Sequence, residues 1–299
     1  MATGSTEQRA GEVVLRHVTE QVHQITENDR LVRLDAPQSV HDMRVATRRL
    51  RSALTTFRPV LTDDVVRPLG AELAWLSDHL GAARDAEVLR ERLLGAINAE
   101  ATGRPDVATV LQQVDEQTAD ACRSARDQLM TALDSDRYRQ LLTSLDELTA
   151  APAPAPRAAR PTGQVLTRRT ARSYRRLKDL VAVAGGAAEP DRARALHDVR
   201  KAAKRARYAG EALADAYGPP AARFAAAMKD LQTDLGEHQD SVTVRAHLEE
   251  LAGRTTSPAA AYLYGRIHAL EQIRGDRAVE RFEDSWRAAR KKSLRHWLR

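Results

Sequence analysis

Val40-His41-Asp42-Met43-Arg44-Val45-Ala46-Thr47-Arg48-Arg49-Leu50-Arg51 returns 156 residues later as Leu196-His197-Asp198-Val199-Arg200-Lys201-Ala202-Ala203-Lys204-Arg205-Ala206-Arg207. Positions 41, 44, 48 and 51 advance by three, four and three residues, so on an α-helix they share one face. Met43, Ala46, Leu50, Leu54 and Phe57 fall roughly opposite. That is the pattern of a helix with one buried and one cationic side. A second pair sits at nearly the same offset, Leu80-Gly81-Ala82-Ala83-Arg84-Asp85 against Leu235-Gly236-Glu237-His238-Gln239-Asp240. Two features repeating in one order predict a duplication of helical units, packed around a pseudo-twofold axis.

The composition agrees with helices. Aromatic residues are 4% of the 299, so the core must be filled by Leu, Val and Ala. Such side chains suit helix-on-helix packing better than a β-sandwich. No stretch alternates apolar and polar residues as a half-buried strand would. The expected fold class is all-α. Cys122 is the single cysteine, which excludes an intramolecular disulfide and makes a reducing cytosol the default. The first residues lack a signal-peptide pattern, and no apolar run reaches a membrane span. A soluble cytoplasmic protein is expected.

Breaks in the pattern outline the elements. Helices are expected from about Glu7 to Asp29 and, after Asp35-Ala36-Pro37-Gln38, from Ser39 to Arg58, where Pro59 stops the chain. Ser39 precedes Asp42 by three residues, the spacing of a capping box. Gly81 is read as punctuation between a helix through Leu69, Leu73, Leu76 and Leu80 and another through Val88, Leu89, Leu93 and Ile97. Gly103-Arg104-Pro105 is a break, followed by helices over 106–133 and 136–148. The segment 151–162 opens with Ala151-Pro152-Ala153-Pro154-Ala155-Pro156, whose composition predicts a stiff, extended linker between repeats at 7–150 and 163–299. The second repeat opens with a basic helix over 163–183, set apart by Gly185-Gly186 and Pro190 from the motif helix. Helices over 221–235 and 237–251 follow, and a last one reaches nearly to the C-terminus through Arg290, Lys291, Lys292 and Arg295.

Charge is unevenly placed. The chain has 47 Lys and Arg against 41 Asp and Glu, but residues 157–207 alone hold 15 basic residues and four acids. Such a local excess favours polyanionic partners. A solvated helix face is the bland reading of each motif, but such a face normally intersperses Glu at i±4, and neither stripe does. The repeated arginines repel one another by about 0.2–0.5 kcal/mol per pair, and the second copy keeps the arrangement. An external anion would supply the compensation. Guanidinium groups one turn apart can grip successive phosphates through paired hydrogen bonds. No phosphate-binding glycine loop is present, and few aromatics are available for stacking bases. A sequence-blind grip on a phosphate polymer is the expectation, with nucleic acid as a weaker alternative and no membrane partner.

His41 and His197 head the two stripes and are either structural or ligand contacts. Cationic neighbours at i+3 oppose metal ligation there, and no metal or cofactor is expected. Asp85 and Asp240 are either ordinary surface acids or groups that orient motif side chains across the bundle. Trp75, Trp286 and Trp297 are read as packing residues. No motif for a nucleophile, a metalloprotease or a paired-carboxylate catalyst is present.

The doubled His-x-x-Arg-x-x-x-Arg/Lys-Arg-x-Arg motif and the paired Leu-Gly-x-x-x-Asp segments closely resemble the CHAD family, the conserved histidine α-helical domains. The resemblance spans most of the chain from about Glu7. It implies two similar four-helix bundles facing each other, together one CHAD domain. It also implies inorganic polyphosphate bound in a basic channel between them and association with polyphosphate granules. Carried over by position, the binding residues are His41, Arg44, Arg48, Arg49 and Arg51, and His197, Arg200, Lys204, Arg205 and Arg207. Lys201 is an added charge in the second copy, and Ala206 replaces Leu50. Arg168, Arg172, Arg175, Arg176, Lys229, Lys291 and Lys292 are further candidates, on the same channel or on an outer surface. Many members carry a fused triphosphate-tunnel catalytic domain. No Glu-x-Glu-x-Lys strand of that kind is found here, and no enzymatic activity is expected.

Overall fold

The computed structural model describes residues 8–100, 106–150, 155–189 and 191–298. Gly103-Arg104-Pro105, Glu7, Ala151 to Pro154, Pro190 and Arg299, which figure in the expectations above, lie outside the described residues. The helices are α1 (Ala10–Arg33), α2 (Ser39–Thr56), α3 (Asp63–Glu100), α4 (Asp106–Leu133), α5 (Asp136–Ala150), α6 (Thr162–Gly186), α7 (Asp191–Glu211), α8 (Ala214–Tyr217), α9 (Pro219–Arg254) and α10 (Pro258–Ala289). No strand occurs among the described residues, and an isolated bridge links Arg9 to Pro161. The fold is all-α.

Neighbours repeat between the halves. In the first, α1 packs on α2, α2 on α3 and α3 on α4; in the second, α6 packs on α7, α7 on α9 and α9 on α10. The first half adds α5, which lies against α1, α3 and α4. The two motif helices, α2 and α7, contact each other and join the halves.

Periodicity explains the burial. Met43, Ala46, Leu50, Leu54 and Phe57 of the first motif helix are all buried. In the second copy Val199, Ala203 and Ala206 do the same. Their small side chains let α9 approach closely: a Cβ added at Gly210 would stand 2.8 Å from Phe224. Most of the apolar residues form one core running through both halves. A second, smaller core joins the ends of α3 and α9 to the starts of α4 and α10, through Leu93, Ile97, Val110, Leu248, Leu263 and Ile267. Between the two cores the helices stand apart, and that gap is where the motif side chains project.

Several local expectations change. Gly81 and Gly236 do not end helices: α3 runs through the first and α9 through the second. The capping box at Ser39 is not formed. Gln38 is the N-cap at φ 63°, in the left-handed region, with no side-chain cap, and Ser39 Oγ donates to the Ala36 carbonyl at 2.7 Å. Asp35 also has φ 55°, so the chain enters α2 through a tight turn that takes the serine for itself. Pro59 stops α2 as expected, though earlier, at Thr56, and itself sits in a single 3₁₀ turn.

The described part of the proline–alanine segment is not an extended spacer. Ala10 and Gly11 donate to the carbonyls of Arg160 and Ala158, Thr162 donates to Gln8, and Ala158 is buried. The first two bonds satisfy amides at the α1 N-terminus, and the third an amide at the α6 N-terminus, that have no partner within their helix. The last helix ends at Ala289, short of Arg290, Lys291, Lys292 and Arg295. Beyond it two 3₁₀ turns fold Trp297 and Leu298 onto the core, where Trp297 meets Tyr217 and Phe224.

Candidate functional site

A cleft of about 660 Å³ opens between the halves, in the gap between the two cores. From α2 it takes His41, Arg44 and Arg48, and from α7 His197, Arg200, Lys201 and Lys204. The i, i+3, i+7 positions that the two sequences share are thus brought to one place by the α2–α7 contact. The facing wall comes from α3 and α9 and includes Arg84, Asp85 and Arg92 with Gln239 and Asp240, over Val88, Leu89 and Val244.

The glycines explain how two motif arginines are seated. A Cβ at Gly81 would meet Arg44 Nη2 at 3.8 Å, and one at Gly236 would meet Arg200 Nε and Nη2 at 3.6 Å. In each half a motif guanidinium therefore lies over a bare stretch of the neighbouring helix. Arg44 Nη1 donates to Asp85 Oδ1 at 2.9 Å. The Arg44 side chain is 14% exposed but Asp85 is 70% exposed. An ion pair that open is worth about 1 kcal/mol or less, so it aims Arg44 more than it stabilises the fold. Asp240 makes no hydrogen bond to Arg200. Burial raises its carboxyl pKa, against the opposing pull of Arg200 and Arg92. The Nε atoms of both Arg44 and Arg200 are buried without a partner.

The cations are packed more tightly than their acids can balance. Arg44 has Asp85, and Lys201 has Asp198 at 2.6 Å. Among the described residues Arg48, Arg200 and Lys204 have no carboxylate partner. Burial, then Arg200, Arg48 and Arg44, bring the Lys204 ammonium down to a pKa of about 7. Burial and the neighbouring Arg44 and Arg200 likewise lower that of Arg48. Burial, then Arg84, lowers the pKa of His41 below the ordinary imidazole value. His197 Nδ1 lies 3.1 Å from Gln239 Oε1.

Other motif residues lie elsewhere. Arg49 and Arg207 converge on Glu211, at 2.9 and 2.6 Å, outside the cleft lining; the Arg49 pair joins α2 to α7, while Arg207 pairs within α7. Beneath them His17 is half-buried, and desolvation followed by Arg49 lowers its pKa to about 4. Arg51 is exposed. Arg205 faces α6 in a separate pocket with Arg172 and Arg176. Arg168 and Arg175 line a neighbouring depression with Arg172. Lys229, Lys291 and Lys292 are exposed and lie outside the cleft lining.

Arg84, Arg92 and Gln239 are cleft residues that the motif reading passed over. Two carried a signal: Arg84 and Gln239 occupy the same place in the repeated Leu-Gly-x-x-x-Asp segments, each just before the aspartate. Arg92 has no such mark. It donates to Glu237 at 2.8 Å and to Glu271 at 2.5 Å. Glu271 is fully buried and also takes Arg274 at 2.7 Å. The cluster ties α3 to α9 and α10 between the cleft and the second core.

An all-α chain whose two motif helices touch beside a cationic cleft defines a helical protein with a basic centre. The chain belongs to the CHAD family, whose domain model matches residues 16–249. It is 35% identical over 280 residues to the uncharacterized proteins Rv2226 and MT2285 from two strains of Mycobacterium tuberculosis. The match covers 92% of this chain and 52% of theirs, so the chain spans about half the length of these relatives. Among solved structures, PptA from Streptomyces chartreusis is similar with a TM-score of 0.79 and 24% identity, over 94% of this chain and all of that one. The CHAD domain from the plant Ricinus communis is similar with a TM-score of 0.66 and 24% identity, over 95% of each chain. At that identity the likeness is one of fold. No helix among the described residues is long and apolar enough to cross a membrane.

Proposed function

We propose that this protein binds inorganic polyphosphate in the cleft between α2 and α7, without turning it over, and that binding brings it to polyphosphate granules. Residues 7–150 and 163–299 act in this reading as two repeats of one CHAD domain, each supplying one side of the grip. The carrying observation is that Arg48, Arg200 and Lys204 meet across the two motif helices with no carboxylate partner among the described residues, where burial and then neighbouring arginines lower the pKa of both Arg48 and Lys204. Three like charges held together in a partly dry cleft are unfavourable unless an anion joins them. A flexible chain of phosphates, with a charge on every unit and no bases to stack, fits that need. His41, Arg44 and Lys201 extend the grip along the same walls.

The test is a double charge reversal, Arg48→Glu with Lys204→Glu, assayed by titration with long-chain polyphosphate. The variant should keep its helical circular dichroism and lose binding by a hundredfold or more. Long-chain polyphosphate should also displace duplex DNA from the unaltered protein. If it binds no better than orthophosphate at equal phosphate concentration, the proposal fails.

A further inference from the structure

The arginines of α6 form a second cationic surface that the cleft does not use. Between Thr162 and Gly186 this helix has six basic residues and one acid, Asp179. Arg169, Arg172 and Arg176 follow at i, i+3 and i+7, so they share a face and span roughly 10 Å of helix. They line a pocket of about 220 Å³ with Thr55 and Arg205. Arg169 and Thr55 continue into a depression of about 820 Å³ that holds Arg58 and Arg157. None of Arg169, Arg172, Arg176 or Arg205 has a carboxylate partner among the described residues. The surface is a track rather than a point.

The same two helices lead to it from the cleft. On α2, Arg44 and Arg48 lie in the cleft, and Thr55, two turns on, lies in the α6 pocket. On α7, Lys204 lies in the cleft and its neighbour Arg205 in the pocket. A chain that leaves the cleft along this side meets arginines at each turn. Carboxylates that would repel it are few: Asp63 and Asp64 border the track only at its far end, and Asp63 is already paired to Arg58 at 2.5 Å.

We propose that α6 is a second anion site, occupied by the continuation of a polyphosphate chain too long for the cleft. It rests on the cleft reading for its ligand, and its role is to select for chain length. Arg205, which the motif places beside Lys204, belongs to this site. The experiment uses the full chain with Arg169→Glu, Arg172→Glu and Arg176→Glu together, and a milder Arg172→Gln/Arg176→Gln variant at two exposed positions as a guard against misfolding.

Tripolyphosphate and long-chain polyphosphate are titrated at several salt concentrations. Tripolyphosphate should bind the triple variant within about twofold of the unaltered protein. Long-chain affinity should fall at least tenfold, and the slope of log affinity against log salt should drop by about 2, for three lost contacts at roughly 0.7 each on a single strand. An unchanged long-chain affinity and slope overturn the second site, and so does an equal loss for both ligands. The two readings fail separately. If Arg48→Glu/Lys204→Glu keeps long-chain binding that the α6 variants lose, the cleft falls and α6 stands.

Discussion

Lys204 is the side chain on which the proposed anion site is most open to test. An ordinary lysine titrates at 10.5, but burial and three arginines bring this one to about 7. Between those values the unfolded chain binds more protons than the folded one, so stability rises with pH across this window and the penalty is complete below about 7. A bound phosphate chain would reverse the field and restore the ammonium. Binding at pH 8 should therefore take up close to one proton, and affinity should fall as pH rises from 7 to 9. Isothermal calorimetry in two buffers of different ionisation enthalpy measures the uptake directly. Lys204→Met should remove it while leaving some binding through Arg48 and Arg200. No uptake in the unaltered protein would show that Lys204 does not face the anion.

At the scale of the element, the repeated glycines carry the more specific lesson. A helix-interior Gly costs about 0.5–1 kcal/mol relative to Ala, yet Gly81 and Gly236 are both buried mid-helix. Their neighbours are Arg44 and Arg200 at ordinary contact distances. Alanine fits there, so Gly81→Ala should raise the melting temperature and keep binding. Leucine does not, and Gly81→Leu should push Arg44 off its seat and weaken polyphosphate binding about tenfold with the fold intact. A Gly81→Leu protein that binds normally would mean the seat is irrelevant.

The stripes of α2 and α7 were legible because a 3.6-residue period recorded twice is hard to mistake. The glycines were misread because a sequence marks a missing side chain without saying whether the backbone turns there or something lies against it. The entry to α2 was illegible for a related reason. Asp35 and Gln38 adopt left-handed φ angles, and only the turn they build reveals that Ser39 has a closer partner than the helix. Which motif residues line the cleft was half visible. Arg49 and Arg207 follow the motif's spacing, but both pair with Glu211 on α7, outside the cleft lining.

For the whole molecule, the cleft exists because two cores hold the halves together on either side of it. The larger core closes the α2–α7 side, and the smaller joins the far ends of α3, α4, α9 and α10. Arg92, Glu237 and Glu271 stand at the boundary, pairing residues 145 and 179 positions apart. No local pattern in the chain could announce such a pairing, since it depends on how the halves meet. Glu271 is fully buried, while Arg274, its other partner, is half exposed. Removing Arg92 leaves a buried carboxylate with a weaker partner, which costs about 3–5 kcal/mol when a buried charge is left uncompensated. Arg274 offsets part of that, so Arg92→Met should lose about 2–3 kcal/mol in urea unfolding. Adding Glu271→Gln to Arg92→Met should recover at least half of the loss, because the buried charge itself is gone. If the single substitution costs less than about 0.5 kcal/mol, the cluster does not hold the halves together, and the smaller core alone keeps the cleft's far side closed.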